Sequence, residues 1–556
     1  MGISSPTDQA SPLMTRPDEH DFDWLVIGSG FGGSVAALRL SEKGYRVGVL
    51  EAGRRYADHE YAGTPWNLKR FLWLPQLGLR GILRLTVFKD VFILSGSAVG
   101  GGSTVYANTL YQPAAPFFKH PQWAHLHDWE AQLAPHYATA KRMLGVTQVP
   151  FDTTAQRLLR DLAQHFKVEH TFNRTPCAVY FGAAGVTAPD PYFNGAGPER
   201  TGCMKCGACM VGCRVGAKNT LLKNYLWFAE KAGAAVLPDC EVVDIVPLGN
   251  DEDAEGYRVT TQRPGAWWRK QPRVFTARGV VVAAGALGTN RLLALCKQRG
   301  SLSRLSDQLG QLARTNSESL LAITKLDLAQ NPGEDVAISA SIYPRPDTHL
   351  EFVTYGPKGD LAGLFFTLLT GGGTRWTRPL RWLGTMLRHP VDALRTVLPF
   401  GWGERSLVLL AMQSLDNAIR FRLRRGWLGG WRLTTDQHAS KPNPTFIPLA
   451  NEAATVVARQ TGGVAQSMFL EAAANIPTTA HLLGGAVIAG SASEGVVDRS
   501  LRAFGYRNLL VCDGSVLPAN PGVNPSLTIA ALAEHAMSQV APAVQHEPAR
   551  TAGARG

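Results

Sequence analysis

Cysteine is scarce in this sequence: eight residues in 556, too few for a disulfide scaffold at this length. Cys177, Cys240, Cys296 and Cys512 are scattered, a distribution that fits a reducing compartment. No window of about 18 uninterrupted apolar residues occurs, which argues against a membrane-spanning helix. The opening stretch MGISSPTDQASPLMTRPDEHDFDW has no apolar segment and carries several acids, so neither a secretory signal nor a transit peptide is expected. Pro6 stands where an N-myristoylation pattern wants Ser or Thr. There is no repeat at a solenoid or propeller period. Charged residues make up only 18% of the chain and hydrophobic ones 45%, the balance of an ordered globular protein. A cytoplasmic protein is the expectation.

The net charge of +12 is unevenly placed. The segment 371–432 holds eleven arginines, no lysine, three acids and five tryptophans. Within it Leu380, Leu383, Leu387, Leu394 and Val397 follow near-helical spacing, Arg381, Arg388 and Arg395 recur every seventh residue, and Pro390 suits the start of a second helix. Basic amphipathic helices with tryptophan can lie in a membrane interface, which would give peripheral membrane association. A pair of substrate-domain helices with a solvated basic face is the alternative. No groove-reading motif accompanies the charge, so a nucleic-acid partner is not expected.

The segment DWLVIGSGFGGSVAALRLSEKGYRVGVLEAG reads as strand, glycine turn, helix and strand. Gly28, Gly30 and Gly33 fit G-x-G-x-x-G. They allow a tight turn, close backbone approach to a pyrophosphate and close helix–strand packing. The helix N-terminus faces that anion, and Glu51, ending the second strand, suits ribose hydroxyls. Two more strand–turn–helix stretches follow, GVVVAAGALGTNRLLALC and NLLVCDGSVLPANPGVNPSLTIAALAEHAMSQV. Their dispersal predicts an α/β protein with one discontinuous Rossmann-like domain, interrupted by a substrate-binding domain with a β-sheet and covering helices.

Four further stretches, GSAVGGGSTVYANTL (96–110), VVVAAGALGTNRLL (280–293), HLLGGAVIAG (481–490) and DGSVLPANPGVNPSLTIAALAE (513–534), resemble successive signatures of the glucose–methanol–choline (GMC) flavoprotein oxidoreductases. The resemblance is to the cholesterol oxidase-like branch and spans residues 22 to about 540. It implies noncovalent FAD, with Gly96, Gly100, Gly101, Gly102, Asn108, Asp513, Gly514, Asn524 and Pro525 at the cofactor. It places the hydroxyl proton on His481, for which imidazole is suited by a pKa near neutrality. It makes Asn524 the second polar residue; a plain helix cap is the alternative. Glu351 in SIYPRPDTHLEF resembles the glutamate that moves a proton in steroid double-bond isomerisation, against an ordinary strand residue. Where cholesterol oxidases have GGGSLVNGG, this chain has GGGSTVYAN, with Tyr106 in the asparagine position and Asn108 two later.

The remaining cysteines, Cys203, Cys206, Cys209 and Cys213 in CMKCGACMVGC, have the C-x2-C-x2-C-x3-C spacing of a bacterial [4Fe–4S] ligand run. Arg214 replaces the proline that often follows. A tetrahedral zinc site and plain thiols are the other options. With a cluster, reduced flavin would be drained singly to a protein or quinone acceptor, making a dehydrogenase.

The boundaries read as a flexible 1–20, FAD-binding segments over 21–125, 200–300 (with the cysteine loop) and 465–542, substrate-side segments over 126–199 and 301–464, and a disordered tail 543–556. The function expected is FAD-dependent oxidation of a hydrophobic, steroid-like or bulky alcohol, with electrons leaving through the cluster. An oxygen-dependent, peroxide-forming oxidase with or without isomerase activity is the first rival. A non-redox isomerase or lipid-binding flavoprotein is the second.

Overall fold

The computed structural model describes residues 20–249, 255–266, 270–324, 335–426 and 429–543. The expected flexible start and tail therefore fall almost wholly outside the described residues.

Strand β1 (Phe22–Ile27), helix α1 (Phe31–Glu42) and strand β2 (Val47–Leu50) form the N-terminal unit expected from the sequence. β1 and β2 run parallel, as do the pairings of β2 with Ala235–Leu237 and of β1 with Arg273–Val282. Leu509–Val511 adds a parallel partner to Val280–Val282. Two antiparallel strands, Gly256–Gln262 and Glu241–Leu248, complete a seven-stranded sheet. Val280, Val281 and Val282 are all fully buried. A strand buried on both faces must be apolar throughout, which is why VVVA shows no alternation. Each such side chain contributes about 1.5–3 kcal/mol when fully buried. Strands widely separated in the chain thus share one sheet, as dispersed α/β segments require.

The second seven-stranded sheet is antiparallel between every neighbour. Its centre includes β3 (Ser319–Thr324), β4 (Thr348–Val353) and the strand Ser406–Gln413 between them. Alternation divides β4 between faces. Leu350 and Phe352 pack with Leu159 and Leu162 of the helix Thr154–Phe166 and with Ala453 and Val457 of the helix Pro448–Thr461. Glu351 lies on the opposite face. There Val353, Val408, Leu410 and Met412 form an apolar cluster with Phe92 and Trp402.

The arginine–tryptophan segment forms α2 (Thr377–Arg388) and α3 (Pro390–Val397), the latter beginning at the expected proline. The leucines of these two helices do not face the core. Leu380, Leu387 and Leu394 are 69%, 73% and 67% exposed. Among the described residues, no helix is long and apolar enough to cross a membrane.

Candidate active site

The glycine turn and the second glycine stretch meet. Within α1 a Cβ at Gly33 would lie 2.0 Å from the Gly28 carbonyl oxygen, so only glycine lets helix and turn pack this closely. At Gly30, by contrast, a Cβ would meet no atom of the described residues within 4 Å. That direction leaves room for a ligand against bare backbone. Gly101 touches the same turn: its Cβ would sit 2.6 Å from the Gly30 Cα.

Ser29 joins these parts. Its hydroxyl donates to Glu51 Oε2 (2.7 Å) and accepts from the Gly100 amide (3.0 Å). Glu51 also accepts from the Ser29 amide and, through Oε1, from the Gly53 amide (2.7 Å). A carboxylate oxygen has more than one lone pair, so these bonds leave capacity for ribose hydroxyls. Gly96 and Gly102 lie against each other on this second stretch. Asn108 has a left-handed φ of 67° and is fully buried, and both its amide atoms lack a partner among the described residues. Tyr106 packs edge-on to Phe31, and its buried hydroxyl also lacks a partner among the described residues.

The C-terminal stretch lies against this cradle, since the Cys512 carbonyl fills the space beside Gly32. Asp513 accepts from the Thr289 hydroxyl and the Ser515 amide, and burial raises its pKa above the usual carboxylate value. Gly514 abuts Leu483 of the HLLGG stretch. Pro525, not Asn524, occupies the cap of the helix Ser526–Ser538.

His481 follows a short strand, Thr478–Thr479, that pairs with Phe92–Ile93. Its Nδ1 meets the carboxylate of Glu318, a residue the sequence reading missed. Glu318 is buried, and its other oxygen accepts from the Ala480 amide (2.7 Å). A carboxylate at Nδ1 holds the proton there and leaves Nε2 with its lone pair. The Asn524 amide nitrogen lies 3.5 Å from Nε2 and 3.4 Å from Glu351 Oε2. The structure thus brings His481, Asn524 and Glu351 together, with Glu318 behind them.

Burial, in a site with Glu318 near by, pushes the Glu351 carboxyl up to about 8, so at neutral pH it keeps its proton. Among the described residues, its Oε1 and the Asn524 Oδ1 have no hydrogen-bond partner. His349, stacked on Tyr343 with its Nδ1 4.0 Å from Glu351, is pushed down to about 3 by burial and stays neutral. A buried ion pair ties α2 to this group: Arg378 donates to Glu471 (3.3 Å), which accepts from the hydroxyl of Ser319, next to Glu318.

The four cysteines of the expected cluster are free thiols lining one cavity of about 330 Å³, away from His481. Burial raises Cys203 to about 11 and Cys209 to about 12. Among the described residues, no three His, Cys, Asp or Glu side chains come close enough to share one metal ion. The zinc option therefore draws no support from this arrangement.

Models of the GMC oxidoreductase family match residues 22–297 and 428–533. The chain belongs to this family. It is 49% identical over 532 residues to a cholesterol oxidase of Mycobacterium tuberculosis, covering 93% of this chain and 91% of the relative. It is 44% identical over 528 residues to a cholesterol oxidase of Acinetobacter baumannii, covering 94% and 95%. Among solved structures, pyridoxine 4-oxidase from Mesorbium loti shares the fold with a TM-score of 0.59 at 15% identity, covering 93% of this chain and 98% of that one. Membership makes the protein an FAD-dependent oxidoreductase acting on CH–OH groups. The residues present fit FAD: the bare backbone at Gly30 and the orphaned amide of Asn108 are a cradle and a polar contact that the protein leaves unfilled. The names of these relatives say nothing of iron or sulfide, so the expected cluster draws no support from them.

Proposed function

We propose that this GMC oxidoreductase oxidises a bulky hydrophobic secondary alcohol, of sterol or steroid type, to the ketone. One observation carries the reading: His481 has its Nδ1 on buried Glu318 and its Nε2 beside Asn524. Bound FAD supplies the hydride acceptor. Glu318 keeps the Nδ1 proton in place, and Nε2 takes the proton of the substrate hydroxyl. The Asn524 amide donates to the alcohol oxygen and fixes its direction. Gly28, Gly30, Gly33, Glu51, Gly96, Gly100, Gly101, Gly102, Asn108, Asp513, Gly514 and Pro525 form the cofactor's surroundings.

The apolar cluster around Val353, Val408, Leu410 and Met412 suits a hydrophobic skeleton, and the names of the relatives support a sterol. The Glu351 carboxylate, made more basic by burial, suits double-bond migration in a steroid product: it takes a proton from the carbon next to the ketone and returns it at the far end of the double bond. The α2–α3 face, apolar at Leu380, Leu387 and Leu394 and bordered by Arg381, Arg388 and Arg395, suits docking on an anionic lipid surface. Substrate would then reach the site from lipid.

Oxidation releases two electrons and two protons per alcohol, and dioxygen accepts both sets to give hydrogen peroxide. The relatives named as oxidases favour this acceptor over the dehydrogenase expected from the sequence. A second reading passes the two electrons singly through a cluster to two equivalents of a one-electron acceptor. It is favoured by the shared cavity of the four thiols. Incubation with cholesterol in air tests both readings. Ketone and peroxide in equal amounts support the oxidase, ketone formed only with an added one-electron acceptor supports the second reading, and no ketone under either condition overturns the assignment.

A further inference from the structure

We infer that the cavity enclosed by Cys203, Cys206, Cys209 and Cys213 is a binding site for a cubane iron–sulfur cluster, with buried Lys218 as its internal countercharge. The inference concerns a site separate from His481 and does not depend on which acceptor takes the electrons.

Three observations carry it. The four cysteines line a common cavity of about 330 Å³. Four thiols on one cavity suit a polynuclear group whose irons each take one sulfur. The ligand spacing agrees, because short loops can carry four sulfurs around one cube.

The course of the loop is fixed by its own backbone. Gly207 and Gly212 have φ of 66° and 102°, and at Gly212 a Cβ would strike the Tyr61 ring at 2.6 Å. The Gly207 amide donates to the Asp335 carbonyl (2.8 Å), and the Asp335 amide donates back to the Lys205 carbonyl (3.0 Å). The Lys205 amide donates to Cys203 Sγ at 3.4 Å, the kind of N–H···S bond that tunes a ligated sulfur.

Lys218 supplies the third observation. It is 1% exposed, and its ammonium donates to the carbonyls of Thr104 (3.2 Å), Tyr106 (2.8 Å) and Cys209 (3.0 Å). Among the described residues no carboxylate pairs with it. A buried cation without an anion is costly, and a cluster held by four thiolates carries net negative charge. Arg214 and Lys358 also line the cavity; Asp335 is its one acid, and the Asp335 carboxylate is bonded to the Val336 amide and the Ser339 hydroxyl. Lys218 further joins the loop of Thr104 and Tyr106, which borders the FAD cradle, to the cysteine loop.

The test uses the full chain purified without air, measuring iron, acid-labile sulfide, zinc and FAD, followed by electron paramagnetic resonance after dithionite reduction. About four irons and four sulfides per FAD, with a signal from the one-electron-reduced cluster, are expected. Cys206→Ser, at an exposed position, should keep FAD while losing iron and changing the signal. Lys218→Met should lower the cluster's midpoint potential, because reduction adds negative charge that the ammonium no longer offsets. Full FAD with four titratable thiols and no iron, or with stoichiometric zinc and no sulfide, overturns the site. An unchanged potential in Lys218→Met overturns the countercharge. Alcohol oxidation by protein of either kind leaves the proposed function standing, so the two failures are distinct.

Discussion

The carboxylate of Glu318 lies against Nδ1 of His481, and the opposite ring nitrogen faces the amide of Asn524. Orientation and tautomer of the imidazole are therefore set by one buried acid. Glu318→Gln removes the charge but keeps the shape. It should lower the rate of alcohol oxidation by about 10²-fold or more, shift its pH profile, and leave FAD content unchanged. Stopped-flow traces of flavin bleaching across pH check this. His481→Ala should lose at least as much rate. A Glu318→Gln variant with wild-type rate and profile would remove Glu318 from the reaction.

The raised carboxyl of Glu351 has a consequence for stability. Its folded pKa of about 8 lies above the ordinary 4.5, so the folded protein binds this proton more tightly than the unfolded chain. The resulting stabilisation is complete below about pH 4.5, declines as pH rises toward 8 and is gone above it. Glu471, pushed up to about 7 by burial despite Arg378, adds in the same direction. Denaturation midpoints should fall between pH 5 and 8, less steeply in Glu351→Gln. Equal slopes in the two proteins would contradict the buried, protonated carboxyl. The same variant should oxidise a sterol without moving its double bond, which product analysis detects.

Two glycines of one motif should fail differently. Gly33→Ala must displace the Gly28 carbonyl, and it should cost about 1–3 kcal/mol or more of stability. Gly30→Ala meets no atom of the described residues, so it should fold normally and lose FAD affinity. Melting temperature and flavin absorbance measured on both variants separate the two roles. Full FAD retention in Gly30→Ala would place the cofactor elsewhere.

The parallel half of the FAD domain was legible because its signals are local. GSGFGG and VVVAAGAL each encode a turn or a doubly buried strand within a few residues. The grouping of His481, Asn524 and Glu351 was reached through family signatures, not through spacing, since they stand far apart in the chain. Glu318 carries no signature: it precedes β3 in RTNSESL and meets His481 only through the fold. Ser29 was hidden as a variable position inside the glycine motif, although it links Glu51 to Gly100. The cysteine spacing placed the four thiols within one short loop, and the fold sets all four on one cavity. For α2 the period gave an amphipathic helix without saying which face is outward. The buried side is held by Arg378, and the leucines are exposed.

That outward face makes its own prediction. The full chain should sediment with vesicles containing anionic lipid and much less with zwitterionic ones, and added salt should weaken the attachment. Leu387→Glu with Leu394→Glu should abolish sedimentation while leaving oxidation of detergent-dispersed alcohol unchanged. Equal sedimentation of the double variant would exclude this face. A wild-type dimer in solution that the double variant converts to monomer would assign the face to self-association instead.

The most direct measurement is anaerobic mixing of the FAD-loaded enzyme with cholesterol, recording flavin absorbance and the ketone formed. The account predicts rapid bleaching with one ketone per FAD in the wild-type protein and neither in His481→Ala. Bound flavin that stays oxidised in the presence of cholesterol and other bulky secondary alcohols would contradict it.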